Sequence, residues 1–522
     1  MNKKKQTILE EYGSAKSWYS QNLSDRESLE QEWKDAAQLT LPYIFPEENQ
    51  SESAQMITPY NSIGPSGVNT LTAKLGLALI PPTVFFRLLP DDESVKDLKD
   101  EDIKKLDIEL AQVERDTIEY INQKKLRVPT TEALKLLVVT GNAMMFKIKG
   151  GGMKVFSPYQ YLVQRDYEGN VLTACIKEKI GYAILPKAVQ NEIEEDSNKT
   201  EEDATKELGS NKEVFVYTMI VRTDAHNYKV WQEIDGVIIE KSIKSYTEET
   251  LPYIILRWTT VNNENYGRGI VSQYLGDLRS LEGLTQTVVD GVATNAMTIY
   301  GVKSGSTLRI DDLNNAKNGQ FVLGDLARDV TVLNANKAGD LGQAMQLMQI
   351  IEQRLSRAFM MIGGQIRDSE RTTATEVRAT AAELEATLGG VYSVLAADFQ
   401  TPLIKLILQE LSPAVLKFTT PSVTTGISAI SRERDFQNLS VMSNTIAQLG
   451  PDMIGQYLNV DAYFSQVATS LGIDPSSIVK TREQQAAEQE QAMQAQQMQQ
   501  VQEAQGKMAI DNNKEQAKQG DN

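Results

Sequence analysis

Residues 363–373 read GGQIRDSERTT, a glycine-led polar break between two helical patterns. Before the break, apolar residues recur at intervals of three and four, which predicts a helix over about 340–362. Its stripe consists of Leu341, Met345, Met348, Ile351, Leu355 and Ala358. After the break, Thr373 and Glu376 have the spacing of a capping box, which predicts the start of another helix. A flexible basic loop held between two helices is a device suited to gate a channel.

The helix after the break should be unusually long. A heptad stripe predicts it over about 374–410. The stripe consists of Val377, Ala381, Leu384, Leu388, Val391 and Leu395. About 37 residues of helix would span roughly 55 Å, and Gly389-Gly390 and Pro402 should bend it. Such a helix suits a subunit spread radially in a ring better than a small globule.

Upstream of the break, the pattern predicts one more helix, over 268–300, and a short polar insert, over 301–335. The helix has an apolar stripe at Val271, Tyr274, Leu278, Leu281, Leu284 and Val288. Gly276 and Gly283 lie seven residues apart, on nearly the same face. A glycine inside a helix costs up to about 1 kcal/mol compared with alanine. Close approach of another backbone would explain that cost, and a merely poor helix is the alternative.

The N-terminal half divides into a helical part and a strand-rich part. Residues 1–150 predict helices over about 29–39, 68–79 and 97–124, and a fourth that begins after Pro129 and carries Met145. Residues 153–261 predict strands, with a hairpin turn at Glu168-Gly169-Asn170. An acidic segment, about 192–212, predicts an exposed loop or disordered insertion. The expected fold class is α+β, mainly helical.

Composition limits the possible partners and cofactors. With 70 acidic and 53 basic residues, the chain carries a net charge of -17, which argues against a protein that wraps nucleic acid. It allows a wall past which DNA slides without sticking. The single cysteine, Cys175, and the single histidine, His226, cannot form a disulfide framework or a standard zinc site. We expect a buried strand cysteine, an exposed loop histidine, and no metal or cofactor.

Neither a targeting segment nor a common catalytic motif is recognisable. The basic N-terminus lacks the apolar core of a signal peptide, and the apolar runs near 75–81 and 136–146 are shorter than the roughly 18 residues of a membrane helix. The sequence has no Walker A loop and no nucleophile elbow, and one histidine removes the usual catalytic triad. Asp311-Asp312 are interpreted as solvated loop residues. We expect no enzyme, although a cytosolic scaffold protein or enzyme with a long coiled-coil arm stays an alternative.

Several short motifs, in this order and spacing, carry a family resemblance. They include Gln38-Leu39-Thr40-Leu41-Pro42, Val163-Gln164-Arg165-Asp166, Tyr266-Gly267-Arg268, Tyr274-Leu275-Gly276-Asp277-Leu278-Arg279-Ser280-Leu281-Glu282 and Glu383-Leu384-Glu385-Ala386-Thr387-Leu388-Gly389-Gly390-Val391-Tyr392-Ser393. Over about residues 15–480 the chain resembles the portal (head-to-tail connector) proteins of short-tailed, T7-like bacteriophages. The acidic insertion and the C-terminal tail look least like the family.

The resemblance implies a portal fold assembled as a ring of roughly twelve copies at one capsid vertex. The implied parts are an N-terminal wing (1–267), a stem helix (268–300), a clip (301–335), a second stem helix (336–362), a tunnel loop (363–373), a long wing helix (374–412), a helical crown (413–480) and a Gln-rich tail (481–522). The tail has high helix propensity. An ordered bundle of tails and a disordered solubilising tail stay equally open.

The resemblance also implies partners. Double-stranded DNA would pass through the ring during packaging and ejection, and a separate terminase large subunit would supply the ATPase. Further partners would be tail adaptor and tail proteins, major capsid and scaffolding proteins, and internal core proteins, but no membrane. The protein would assemble in the host bacterial cytoplasm and reside in the virion, at the portal vertex of the capsid.

Candidate site residues follow from this scheme. Repeated around a ring, Arg367 and Arg371 would form basic girdles in the DNA channel, with Lys337 as a weaker third candidate. Plain surface arginines are the alternative. The partner-binding clip would use charged residues of the insert, namely Lys303, Arg309, Asp311, Asp312 and Lys317. Gly276 and Gly283 would allow close packing of the stem.

Overall fold

A computed structural model describes most of the chain up to residue 423. The described residues are 3–45, 56–82, 84–91, 100–196, 213–296, 299–305, 309–317, 325–333, 338–361, 380, 383–384, 386–388 and 390–423. The chain forms two units, one of Met1–Leu89 with Asp116–Gly426 and one of Pro90–Arg115 with Ile427–Asn522. Of the second unit, the described residues are 90–91 and 100–115, which include the first part of one helix.

The described helices, in chain order, are α1 (Lys3–Tyr12), α2 (Ala15–Gln21), α3 (Glu27–Gln38), α4 (Ile63–Leu79), α5 (Asp100–Gln123), α6 (Arg127–Thr140), α7 (Lys187–Asp196), α8 (Ile270–Gln273), α9 (Leu275–Ala296), α10 (Ile310–Asn314), α11 (Leu326–Asp329), α12 (Ala338–Ala358), α13 (Val391–Leu395) and α14 (Thr401–Leu411). The predictions for α3 to α6 are confirmed, except that Met145 does not lie on α6. Gly141 ends that helix with a left-handed φ of 79°, and the chain continues as a strand.

The described strands are β1 (Phe86–Pro90), β2 (Asn142–Lys147), β3 (Met153–Phe156), β4 (Tyr161–Arg165), β5 (Val171–Gly181), β6 (Glu213–Arg222), β7 (Asn227–Ile234), β8 (Val237–Thr247), β9 (Tyr253–Arg257), β10 (Ile299–Val302), β11 (Val330–Leu333) and β12 (Thr419–Val423). The largest described sheet is an antiparallel meander in the order β4-β5-β6-β7-β8. Smaller sheets are β3-β2-β9, β10-β11 and β1-β12. The mixed α and β composition and the hairpin between β4 and β5, where Gly169 has a φ of 90°, agree with the sequence prediction.

Helices α1 and α2 pack on one face of the five-stranded sheet. Their side chains Ile8 and Tyr19 join a core that contains Cys175, Met219 and Trp231. Glu233 is buried in the sheet, and its carboxylate accepts hydrogen bonds from the Ser14 hydroxyl and the Ala15 N–H, both at 2.6 Å. The buried strand cysteine is therefore confirmed. So is the exposed loop histidine, because 82% of the His226 side chain is exposed.

The expectation of a loop is wrong for the start of the acidic insertion. Helix α7 extends to Asp196, and Ile193 packs in a core cluster beside β6, β7 and β8. The Glu192 carboxylate pairs with Lys5 at 2.6 Å and accepts the Glu240 N–H at 2.8 Å. These contacts fix Glu192 and Ile193 in the fold, although the acidic composition of the segment predicts that it is exposed to solvent. The rest of the insertion, 197–212, lies outside the described residues.

The prediction of one helix over 268–300 is also wrong in two respects. That segment is divided at Tyr274 into α8 and α9, and Ile299 and Tyr300 belong to β10. The β-branched and aromatic residues there pair with β11, with Ile299 opposite Leu333. The insert therefore begins as a β-ribbon and not as irregular chain.

The single long helix over 374–410 is wrong as well. Residues 380, 383–384 and 386–388 are helical, but Gly390 has a φ of 88°, which breaks the helix and does not merely bend it. After α13, residues Ala396–Gln400 form a π-turn before α14. Of the heptad stripe, Leu384 and Leu395 are fully buried. Residues 374–379 and the tunnel loop lie outside the described residues.

The stretch Val391–Leu411 is long and apolar enough to cross a membrane by length and composition alone. The apolar runs near 75–81 and 136–146, which are too short for a membrane helix, do not include this stretch. More than half of it, 56%, is buried inside the protein, as in the core helix of a folded domain. The segment after α14 pairs β12 with β1, so residues 419–423 form a strand. The predicted crown helices and Gln-rich tail lie outside the described residues.

Candidate channel and docking sites

Helices α9 and α12, the two helices to which the family resemblance assigns the stem, form an antiparallel hairpin. Near the start of α9, Asp277 accepts a hydrogen bond from Arg354 of α12 at 3.0 Å. At the other end, a Cβ atom on Gly291 would lie 2.8 Å from Leu341, so the two helices approach closely there. Apolar residues buried on the two helices are Leu278, Leu281 and Val288 of α9 and Ile351 and Leu355 of α12.

The root of the hairpin packs against the helices α3 and α4. Phe359, just after α12, is fully buried, and a Cβ atom on Gly67 of α4 would lie 2.6 Å from its ring. Tyr274 lies against the same ring, with centroids 6.4 Å apart. Arg279 of α9 also forms an ion pair with Asp35 of α3. In the part of the chain that the structure describes, the contacts of the hairpin with the helices α3 and α4 lie at this end.

The exposed face of the hairpin carries glycines and partly exposed apolar side chains. Gly276 and Gly283 are exposed, and no neighbouring heavy atom lies within 4 Å of a Cβ atom built on either glycine. Within the described residues of this chain, the α9 glycine that α12 contacts is Gly291, and the contact is made by the Leu341 side chain. Large apolar side chains on the hairpin are about half exposed, namely Val289, Val292, Met345, Leu347 and Ile350.

The tip of the hairpin carries the predicted clip residues. The Lys303 N–H donates to the Asp329 carbonyl at 2.9 Å, which extends the β10-β11 ribbon by one bond. Side chains exposed on this excursion are Lys303, Arg309, Asp311 and Lys317. Asp311 and Asp312 lie in α10, so their interpretation as loop residues is wrong. Arg309, the residue before this short helix, has the extended backbone conformation that is usual at that position.

The three channel candidates, Arg367, Arg371 and Lys337, lie outside the described residues. Conversely, sequence reasoning missed the acidic residues Glu282 and Glu352 on the inner side of the hairpin root. Their partners, at the start of α4, are about 220 and 290 residues away along the chain. No local pattern links residues at such separations.

The sequence matches the family described as "Bacteriophage head to tail connecting protein" over residues 13–479. It is 35% identical to the portal protein of Escherichia phage T7 over 494 residues, which covers 92% of this chain and 90% of that protein. It is 34% identical to the portal protein of Enterobacteria phage T3, covering 92% and 91%. Among solved structures, a chain titled "Neck of empty GTA particle computed with C6 symmetry" has a TM-score of 0.37 and 10% identity, covering 73% of this chain and 86% of that one.

The chain belongs to the family of bacteriophage head-to-tail connecting (portal) proteins.

Proposed function

We propose that copies of this protein assemble head to tail into a closed ring of roughly twelve at one vertex of the capsid. The hairpin face supports the ring most directly. Gly276 and Gly283 leave backbone open on α9, and the large apolar side chains of the hairpin stay about half exposed among the described residues. Burying such a face between neighbours gives the large, apolar interface of an obligate assembly. The alternative scaffold or enzyme loses its long arm, because the helix breaks at Gly390.

Mass photometry of the purified protein tests the ring. We expect a dominant species of roughly twelve subunit masses at micromolar concentration, and rings with an axial hole in negative-stain images. Gly283→Leu should reduce the ring fraction, because its side chain occupies the face that a neighbour must approach, whereas Thr287→Ala on the same helix should not. Monomers or dimers alone, with no rings in the images, would refute the proposal.

We propose that the ring is the path of double-stranded DNA in packaging and ejection. The net charge of -17 suits a wall that does not hold DNA, and basic girdles of Arg367, Arg371 and Lys337 would contact phosphates only briefly. Rings that carry Arg367→Glu and Arg371→Glu should assemble but package or retain less DNA in virions. Lys149→Glu, an exposed lysine in the β2-β3 loop, is the charge-matched control. Equal packaging and retention by both would exclude the two arginines from the channel.

The partners proposed for the ring follow its position. The clip tip would dock the terminase large subunit during packaging and the tail adaptor and tail proteins afterwards, and the terminase would supply ATP hydrolysis. The periphery would meet the major capsid and scaffolding proteins, and the interior side would meet internal core proteins. Assembly would take place in the bacterial cytoplasm.

A further inference from the structure

Two carboxylates from the two helices of the hairpin hold one short loop. The Glu282 carboxylate of α9 accepts the backbone N–H groups of Tyr60 at 2.7 Å and of Asn61 at 3.1 Å. From α12, the Glu352 carboxylate accepts the side-chain amide of Asn61 at 3.1 Å. This loop precedes α4. Both helices of the hairpin therefore bind Asn61, and α9 also binds Tyr60.

Asn61 uses both ends of its amide. Its Oδ1 accepts the Ile63 N–H at 2.8 Å, which satisfies one of the free N–H groups at the start of α4, while its Nδ2 reaches Glu352. The loop is thus fixed to its own helix and to the hairpin by the same side chain. Bonds between N–H groups and a carboxylate are stronger and more directional than neutral ones. We call Glu282, Glu352, Tyr60 and Asn61 the root clamp.

Among the described residues, the root clamp joins the hairpin to the loop before α4, and Phe359 packs closely against Gly67 of α4 itself. An apolar contact alone leaves rotation about it possible, because packing does not specify direction. The hydrogen bonds of the root clamp, together with the Arg279–Asp35 ion pair to α3, restrict that rotation. The angle between the hairpin and α4 therefore depends in part on the root clamp.

We propose that Glu282 and Glu352 are positioning residues that set the angle of the hairpin to α4 and thereby the number of copies in the ring. This inference rests on the proposed ring. Neighbours in a ring of roughly twelve copies are rotated by about 30°, and one extra copy changes that rotation by only about 2°. A small loss of angular definition at the root is then enough to mix ring sizes.

Native mass spectrometry of assembled rings measures the consequence. We expect the parent and Thr287→Ala, whose hydroxyl bonds only to its own helix at Gly283, to give one dominant ring size. Glu282→Ala should give two or more ring sizes from equally folded subunits. Hydrogen exchange at the Tyr60 and Asn61 amides should rise about tenfold in Glu282→Ala, because both lose a charged acceptor.

Asn61→Ser gives an independent measurement if Glu282→Ala does not fold. Serine can still accept the Ile63 N–H, but it has no amide donor for Glu352. It should broaden the distribution of ring sizes less than Glu282→Ala does. Uniform rings from the variant that folds, beside uniform parent rings, would overturn the root clamp and leave the ring proposal intact. A parent that forms no rings would overturn the ring proposal itself.

Discussion

Glu410, at the end of α14, joins the last described helix to the edge of the β2-β3 hairpin. Its carboxylate accepts hydrogen bonds from the Tyr120 hydroxyl at 2.6 Å, the Gly150 N–H at 3.1 Å and the Lys147 ammonium at 3.2 Å. Burial alone would raise the pKa of Glu410, but these hydrogen bonds hold it below its ordinary value. Burial lowers the pKa of Lys147, and that of Tyr120 is raised by burial and by Glu410.

The lowered pKa of Glu410 makes stability depend on pH. Because the folded pKa lies below the ordinary value of 4.5, the stabilisation is complete above that pH and is lost as pH falls through the folded pKa. Glu410→Gln should lower the free energy of unfolding at pH 7 by about 2 kcal/mol, since it leaves the Lys147 charge buried without a carboxylate. It should also flatten the loss of stability below pH 4.5.

Urea unfolding at pH 7 and pH 4 measures both effects. The control is Glu249→Gln, which removes the ion pair of Glu249 with Lys405. Lys405 lies on α14, the helix that also carries Glu410. Because 70% of the Glu249 side chain is exposed, its loss should cost less than about 0.5 kcal/mol. If the two variants were equally stable, Glu410 would be an ordinary surface carboxylate.

At the scale of elements, two of the three glycines of α4 have opposite surroundings. A Cβ atom on Gly67 would lie 2.6 Å from Cγ of Phe359, whereas one on Gly76 would lie 3.9 Å from a methyl group of Leu134. Gly67→Ala should therefore destabilise the protein by about 1–3 kcal/mol through overpacking. Gly76→Ala should stabilise it by up to about 1 kcal/mol, because alanine is the better helix former. Thermal unfolding compares them; a stabilising Gly67→Ala would contradict the packing of α4 against the hairpin root.

The elements that the sequence predicts well are those whose pattern lies within the element itself. Apolar periodicity located α3, α4 and α12, and alternation with turn residues located the strands from β4 to β9. The break in the predicted long helix could not be found in this way, because its cause is distant. The Tyr392 hydroxyl and the Gln400 amide donate to the carbonyls of Ala78 and Leu79, which end α4. Satisfying those carbonyls favours a left-handed Gly390 and a π-turn over a continuous helix.

At the scale of the whole molecule, the motifs identified the family, and the periodicity placed the hairpin and its tip. The sequence could not show how the hairpin is fixed to α4, since the root clamp joins residues that are distant along the chain. Nor could it show that the glycine facing a helix within the same copy is Gly291 and not Gly276 or Gly283. Spacing predicts a face of a helix, but only packing decides what covers that face.

The exposed tip of the hairpin should dock partners through charge. Lys303, Arg309 and Lys317 are exposed on the same excursion as α10, and replacing Asp311 and Asp312 with lysine would make this mixed surface more basic. We expect the variant rings to keep their mass, because α10 lies far along the chain from the buried hairpin residues Leu278 and Leu355. We expect them to bind the terminase large subunit or the tail adaptor at least tenfold more weakly, since like charges across an interface cost several kcal/mol.

Binding of parent and variant rings to each purified partner, measured by biolayer interferometry at two salt concentrations, separates charge from shape. A loss of binding that high salt does not reduce would point to a disrupted tip and not to electrostatics. Asp311→Asn with Asp312→Asn is the matched control, because it removes both charges at almost the same volume and should weaken binding only in part. Parent-like binding of the lysine variant would place partner docking on another surface of the ring.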